Sequence, residues 1–261
     1  GIIMVEGDAE NILIPVIADI LGYPLEKYGI SLVNVGSTAF LRYSRIMVRK
    51  DGSTIGIPVS VITDCDVRPY DIDEETKERR LNEKISESAQ AEEEKNKKYT
   101  NGSVRGFTSP RWTLEYCIAL SCFSEDFHKS VHYGKKILNA REYISLTEEK
   151  IIEANQEMEE ENNQWNDLPD WEKAYEIYNL MLDGDGKSSL KAIVAQCLAS
   201  VLRWKMSVIP EQFRQEKMFD LDLYRMKIAD QKKAELKSMI ERDQFLSYIV
   251  KAIKYAAGEA I

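Results

Sequence analysis

Most devices that staple or anchor a chain are scarce in these 261 residues. There are four cysteines, Cys65, Cys117, Cys122 and Cys197, and no two form a C-x-x-C pair. That argues against a disulfide scaffold and suits a reducing compartment, so a cytoplasmic location is expected. No apolar run approaches the roughly 20 residues that span a bilayer, and no membrane partner is expected. No secretory leader is visible, because the apolar opening carries Glu6, Asp8 and Glu10 and lacks a basic start. Positive charge is in deficit: the net charge is −9 and the pI about 5.0. This excludes a uniformly basic nucleic-acid coat and leaves room only for a local basic groove. No internal repeat is evident. The chain opens inside an apolar run, which predicts a further region on its N-terminal side.

What is present is a core: 44% of residues are hydrophobic, enough for one large domain or two modest ones. Two acidic clusters each follow a short β-branched run. In IIMVEGDAE, Glu6 and Glu10 lie just beyond Ile2–Val5. In IPVSVITDCD, Asp64 and Asp66 lie just beyond residues 57–63. Such runs read as buried parallel strands, and in open α/β sheets chemistry collects past their carboxyl ends. Four carboxylates meeting there repel one another unless a divalent metal neutralises them.

Read in order, the pattern predicts a strand to residue 6, with Gly7 as a turn. Asp8 is the expected N-cap of a helix over 9–21, which Gly22 and Pro24 end. A strand over 31–35, a helix over 38–48, a turn at Asp51-Gly52 and a strand over 55–63 follow. This alternation implies parallel strands joined by crossovers. Residues 71–99 are so charged that a solvated helical insertion, peripheral to the core, is expected. A last strand over 103–109 precedes an apolar helix over 111–123. Beyond it, helices are expected near 124–139, 146–162, 169–183, 188–206 and 211–257. The organisation predicted is therefore an α/β core over 1–123, with the insertion at 71–99, and an α-helical subdomain over 124–261.

Several sharper-looking signals fail on inspection. GDGKSS at 184–189 lacks the first glycine of a phosphate loop, since position 181 is Met181, and it follows a helical pattern rather than a strand. His128 and His132 stand four apart on one helix face, yet no third ligand is apparent in the sequence. Trp165, Trp171, Tyr175 and Tyr178 have a helical spacing that suits core packing. Arg111, Arg203, Lys205 and Arg214 are scattered basic residues.

VEGDAE followed downstream by VITDCD resembles the Toprim pattern of topoisomerases, primases and certain nucleases. VEGDAENILIPVIADILG, ISLVNVGS, IPVSVITDCDVRP, SPRWTLEYCIA and KAIVAQCLA together resemble nucleases of the overcoming-lysogenisation-defect (OLD) family. The likeness covers residues 1–123 well and 187–200 moderately. It implies a Toprim-type parallel-sheet core flanked by helices, with a C-terminal α-helical subdomain. The implied activity is metal-dependent DNA endonuclease or nickase cleavage. Glu6, Glu10, Asp64 and Asp66 would ligate two ions, Mg²⁺ or Mn²⁺, with Glu115 and Ser109 as further contributors. Lys191 would stabilise charge on the scissile phosphate. Lys187 competes for that role, and Lys191 is preferred because it directly precedes AIVAQ. As partners the likeness implies DNA, an N-terminal ABC-type ATPase domain on the same chain, and a homo-oligomer formed through that region. The alternatives are a topoisomerase- or primase-like core and a metal-binding dimerisation module without catalysis. A haloacid-dehalogenase-like phosphatase is disfavoured, because Asp64-Cys65-Asp66-Val67 is followed by Arg68.

Overall fold

The computed structural model describes residues 1–48, 56–139, 146–182, 187–207 and 221–260. Four strands form one parallel sheet: β1 (Ile2–Val5), β2 (Ser31–Asn34), β3 (Val59–Thr63) and β6 (Val104–Thr108), in the order β2-β1-β3-β6. A separate antiparallel hairpin joins β4 (Tyr70–Ile72) to β5 (Arg79–Leu81). Side chains alternate across the main sheet, as strand geometry requires. Ile3, Val5, Ile62 and Phe107 enter a large core shared with most of the helices, while Met4, Val59, Val61 and Val104 enter a smaller one with Phe40 and Tyr99. Burial on both faces of β1, β3 and β6 explains why β1 and β3 read as continuous apolar runs, while β2 at the sheet edge is largely exposed.

Helix α1 (Asp8–Leu21) covers the larger core. Its Leu13, Ile14 and Ile17 are almost wholly buried, each contributing about 1.5–3 kcal/mol through removal from water. Gly7, not Asp8, occupies the N-cap. Asp8 Oδ1 instead accepts from Asn34 Nδ2 at 2.8 Å, tying the start of α1 to the end of β2. Helix α2 (Phe40–Ser44) is shorter than expected, and the turn at Asp51-Gly52 falls outside the described residues.

The charged stretch departs in part from expectation. Its first half is the β4–β5 hairpin, and its second half is α3 (Ile85–Tyr99), which packs directly on β6. Helix α3 is the solvated helix expected there, and it lies in the crossover that carries the chain from β3 to β6. Only Ser88 and Tyr99 of α3 are buried, so apolar periodicity could not announce its seat on β6. Contact comes instead from close backbone approach. A Cβ at Gly106 would lie 3.0 Å from Asn96 O and 3.1 Å from Asn96 Cα. Asn96 Oδ1 also accepts from Thr108 N at 2.8 Å.

From α4 (Leu114–Leu120) onward the described chain is helical. The elements are α5 (Ser124–Leu138), α6 (Glu148–Gln164), α7 (Asp170–Asn179), α8 (Lys187–Ser207), α9 (Leu221–Arg242) and α10 (Ser247–Ala256). The single helix expected over 211–257 is broken after Arg242. There Asp243 Oδ1 accepts from Phe245 N at 2.8 Å, and its Oδ2 accepts from Cys122 N at 2.6 Å. Such side-chain bonds compete with helix continuation. Helix α10 then docks under the sheet, where Ser60 Oγ donates to Ala252 O at 2.7 Å. All four cysteines are free, and Tyr175 and Tyr178 are buried as their spacing suggested. No described helix is long and apolar enough to cross a membrane.

Candidate metal centre

β1 and β3 are parallel neighbours with Met4 opposite Val61. Continuing that register sets Glu6 beside Thr63, and Thr63 Oγ1 indeed donates to Glu6 Oε1. Glu6 also accepts from Asp64 N at 3.3 Å. In the first turn of α1, Glu10 lines the same space. Asp64 Oδ1 accepts from Leu114 N at 2.8 Å, which fixes its carboxylate against the start of α4. Thr113 caps that helix, its side chain accepting from Tyr116 N at 3.2 Å, and so brings Glu115 inward. Lys191 arrives from α8 and meets Glu115 at 3.2 Å. Helix α8 is set by its close approach to α5, where a Cβ on Gly134 would stand 2.8 Å from Val194 Cγ2.

The result is a cavity of about 370 Å³ lined by Glu6, Asp8, Glu10, Asp64, Glu115 and Lys191, with Asn34 at its edge. Burial raises the Glu10 pKa from 4.5 to about 7, and the neighbouring Glu115 and Glu6 charges add to that rise. Asp64 is raised well above its usual range, first by burial and then by Glu115, Glu10 and Glu6. Burial alone would lower the Lys191 pKa, but the charges of Glu115, Tyr178 and Asp64 and the hydrogen bond to Glu115 together outweigh it and raise the ammonium.

Two residues expected at the site lie elsewhere. β3 ends at Thr63, and Asp66 has a left-handed backbone with φ 67°. The extended geometry that would put Asp64 and Asp66 on one face therefore does not continue this far. Asp66 pairs instead with Lys95, whose Nζ also donates to Asp64 O at 2.7 Å. Ser109 is wholly buried as a brace: its Oγ donates to Arg111 O at 2.6 Å and accepts from Cys65 N at 2.8 Å. The side chain of Lys187 and all of Arg214 lie outside the described residues. Lys205 is engaged by Asp126 at 2.6 Å, and Arg111 donates to Pro110 O at 2.8 Å.

Tyr248 on α10 carried no signal in the sequence. It is buried, its hydroxyl finds no hydrogen-bond partner among the described residues, and its pKa is raised by burial and by the charges of Cys117, Asp64, Glu10 and Glu115. The donors around the cavity are carboxylate oxygens, a set that fits Mg²⁺ or Mn²⁺ better than Zn²⁺. The histidine pair also gains what it lacked in sequence: Glu161 of α6 stands 2.6 Å from His128 Nε2 and 2.7 Å from His132 Nε2.

The class that this sheet defines is an α/β fold with a parallel sheet flanked by helices. Residues 1–66 match the family model described as the overcoming lysogenization defect protein-like TOPRIM domain. The match implies a metal-binding nuclease- or primase-like fold for that segment and upholds the resemblance read from the sequence. Among solved structures, the chain is similar to the C-terminal region of the Xanthomonas campestris pv. campestris OLD protein. That likeness is 21% identity over 90% of this chain and 97% of that one, with a TM-score of 0.42. It is also similar to the C-terminal region of the Burkholderia pseudomallei OLD protein, at 20% identity over 78% of this chain and 96% of that one, with a TM-score of 0.40. No curated protein gives a significant match.

Proposed function

We propose that the acidic cavity is the active centre of a metal-dependent DNA endonuclease or nickase. One observation carries the reading: Glu6, Glu10, Asp64 and Glu115 converge with Lys191 in a single cavity past the carboxyl ends of neighbouring parallel strands. These four carboxylates would hold divalent Mg²⁺ or Mn²⁺, and a second ion would also draw on Asp66. When bound, the ions supply a nucleophilic water and charge neutralisation for in-line displacement at phosphorus.

The protein's own part is orientation. Thr63 and the Asp64 amide hold the Glu6 carboxylate, and the Leu114 amide holds that of Asp64. Lys191, kept cationic by Glu115, would aim its ammonium at charge that develops on the scissile phosphate, a contribution made only in the transition state. Recruiting Asp66 would require its pair with Lys95 to open. On this reading residues 1–123 supply the carboxylates and 124–261 supply the lysine. A preceding ABC-type ATPase region, oligomerisation through it and a cytoplasmic setting belong to the same proposal.

Incubation of the purified chain with supercoiled plasmid and Mg²⁺ or Mn²⁺ tests it. Nicked and linear products are expected. Relaxed topoisomers would point to a topoisomerase, and intact plasmid with bound metal would point to a binding module.

A further inference from the structure

A second polar cluster lies between α5 and α6 and shares no residue with the acidic cavity. His128 and His132 are buried at 1% and 3% exposure. Their Nε2 atoms converge on one oxygen, Glu161 Oε2, at 2.6 and 2.7 Å. Their other ring nitrogens face separate acceptors. His128 Nδ1 is 3.2 Å from Asn162 Oδ1, and His132 Nδ1 is 3.1 Å from Glu157 Oε2. Trp165 stacks on the His128 ring at 5.3 Å, and Lys136 holds Glu157 at 2.7 Å. Both rings are therefore fixed in orientation.

Proton counting makes this arrangement informative. A neutral imidazole carries one N–H. If each ring donates from Nδ1 to its outer acceptor, both Nε2 lone pairs point at a carboxylate oxygen. Three acceptors then lie within 4.8 Å of one another with no donor among them. A shared cation resolves that conflict. An outer acceptor on the far nitrogen is also the usual device that sets the tautomer of a metal-ligating histidine.

We propose that His128 Nε2, His132 Nε2 and Glu161 form a transition-metal site of the Zn²⁺ class that clasps α6 to α5. Glu157 and Asn162 orient the two imidazoles from outside. Two nitrogens and one carboxylate favour Zn²⁺ over the Mg²⁺ suited to the all-oxygen cavity. Bonds of ~2.0–2.1 Å in a tetrahedron hold ligand atoms roughly 3.3 Å apart, so Glu161 must withdraw by roughly 0.6 Å on binding. Its side chain is 23% exposed, which gives room for that movement and for a water as fourth ligand. The site's role is structural. Helix α6 buries only Ala154 and Met158, too little apolar surface to secure 17 residues by packing alone.

The test is a Co²⁺ and Zn²⁺ titration of chelator-treated full chain carrying Glu10→Gln and Asp64→Asn, which removes competition from the acidic cavity. One Co²⁺ per chain, with the intense visible absorption of tetrahedral coordination, is expected, and Zn²⁺ should displace it and raise Tm. Adding Glu161→Gln or His128→Gln should weaken binding at least ~10-fold, and Asn162→Ala about 10-fold, the usual range for an outer-shell partner. If His128→Gln does not fold, the partly exposed Glu161→Gln carries the comparison. Absence of tetrahedral Co²⁺ absorption, a Zn²⁺-independent Tm, or equal affinity in the Glu161→Gln protein would overturn the proposal. Each of those results would leave a hydrogen-bonded clasp without metal.

Discussion

Lys191 Nζ stands 3.2 Å from both carboxylate oxygens of Glu115. Among the described cavity-lining residues it is the only cation. Its partner is thus a group proposed to bind metal, and the lysine is held at the site before substrate arrives.

Lys191→Ala is expected to lower the cleavage rate at least ~100-fold, the size typical of deleting one preorganised charge-stabilising donor. Lys187→Ala should be nearly silent. Single-turnover plasmid nicking measures both, and the reverse ranking would transfer the role to Lys187.

The raised pKa of Glu10 makes the metal-free protein pH-sensitive. Between pH 4.5 and about 7 the folded chain retains a proton that the unfolded chain has lost. Folding stability therefore falls as pH rises through that window, by on the order of 3 kcal/mol for this group. Asp64 is raised by burial and by its acidic neighbours and acts in the same direction. Urea melts of the metal-free protein should show greater stability at pH 5 than at pH 8, with a smaller difference in Glu10→Gln. Because metal and proton compete for these oxygens, Mg²⁺ should raise Tm more at pH 8 than at pH 6.

Helix α3 gives a steric prediction. Gly106→Leu should destabilise the fold by about 1–3 kcal/mol or more, since the added Cβ meets the Asn96 backbone at 3.0 Å. Replacing residues 85–99 with a Gly/Ser linker should prevent folding. A soluble linker variant with native circular dichroism and unchanged metal affinity would show that α3 is dispensable.

These cases also show what could be read from the chain. Glu6, Glu10 and Asp64 were legible because parallel strands bring their carboxyl ends together, and two acidic clusters marked those ends. Asp66 shares that motif, but its left-handed backbone lies beyond the last residue of β3, a departure that residue spacing does not encode. Tyr248 feels the charge of the cluster from α10, near the other end of the chain, and a tyrosine in an amphipathic helix carries no mark of its neighbours. Glu161 did leave a trace. Glu157 and Glu161 repeat the four-residue spacing of His128 and His132, and the two pairs meet only because α5 and α6 pack together. A helix in the charged stretch was expected, but its seat on β6 left no mark, because it docks through glycine and asparagine contacts rather than an apolar stripe.

Asp66 separates one-ion from two-ion chemistry. Asp64→Asn is expected to lose metal binding and turnover together. Asp66→Asn should keep one Mn²⁺ per chain while losing cleavage, as counted by calorimetry. Lys95→Gln, which frees Asp66 from its ion pair, should lower the Mn²⁺ concentration needed for half-maximal rate. A silent Asp66→Asn would restrict the centre to the four carboxylates of the cavity.

The central claim is that the carboxylates gathered past the ends of β1 and β3 bind the divalent metal that drives phosphodiester cleavage. The most direct measurement compares plasmid nicking by wild type and by Asp64→Asn in Mn²⁺, each repeated in excess EDTA, with folding checked by circular dichroism. Metal-dependent nicking by wild type, none in EDTA, and none by a fully folded Asp64→Asn protein is the expected result. Nicking by Asp64→Asn at the wild-type rate, or undiminished wild-type cleavage in EDTA, would contradict it.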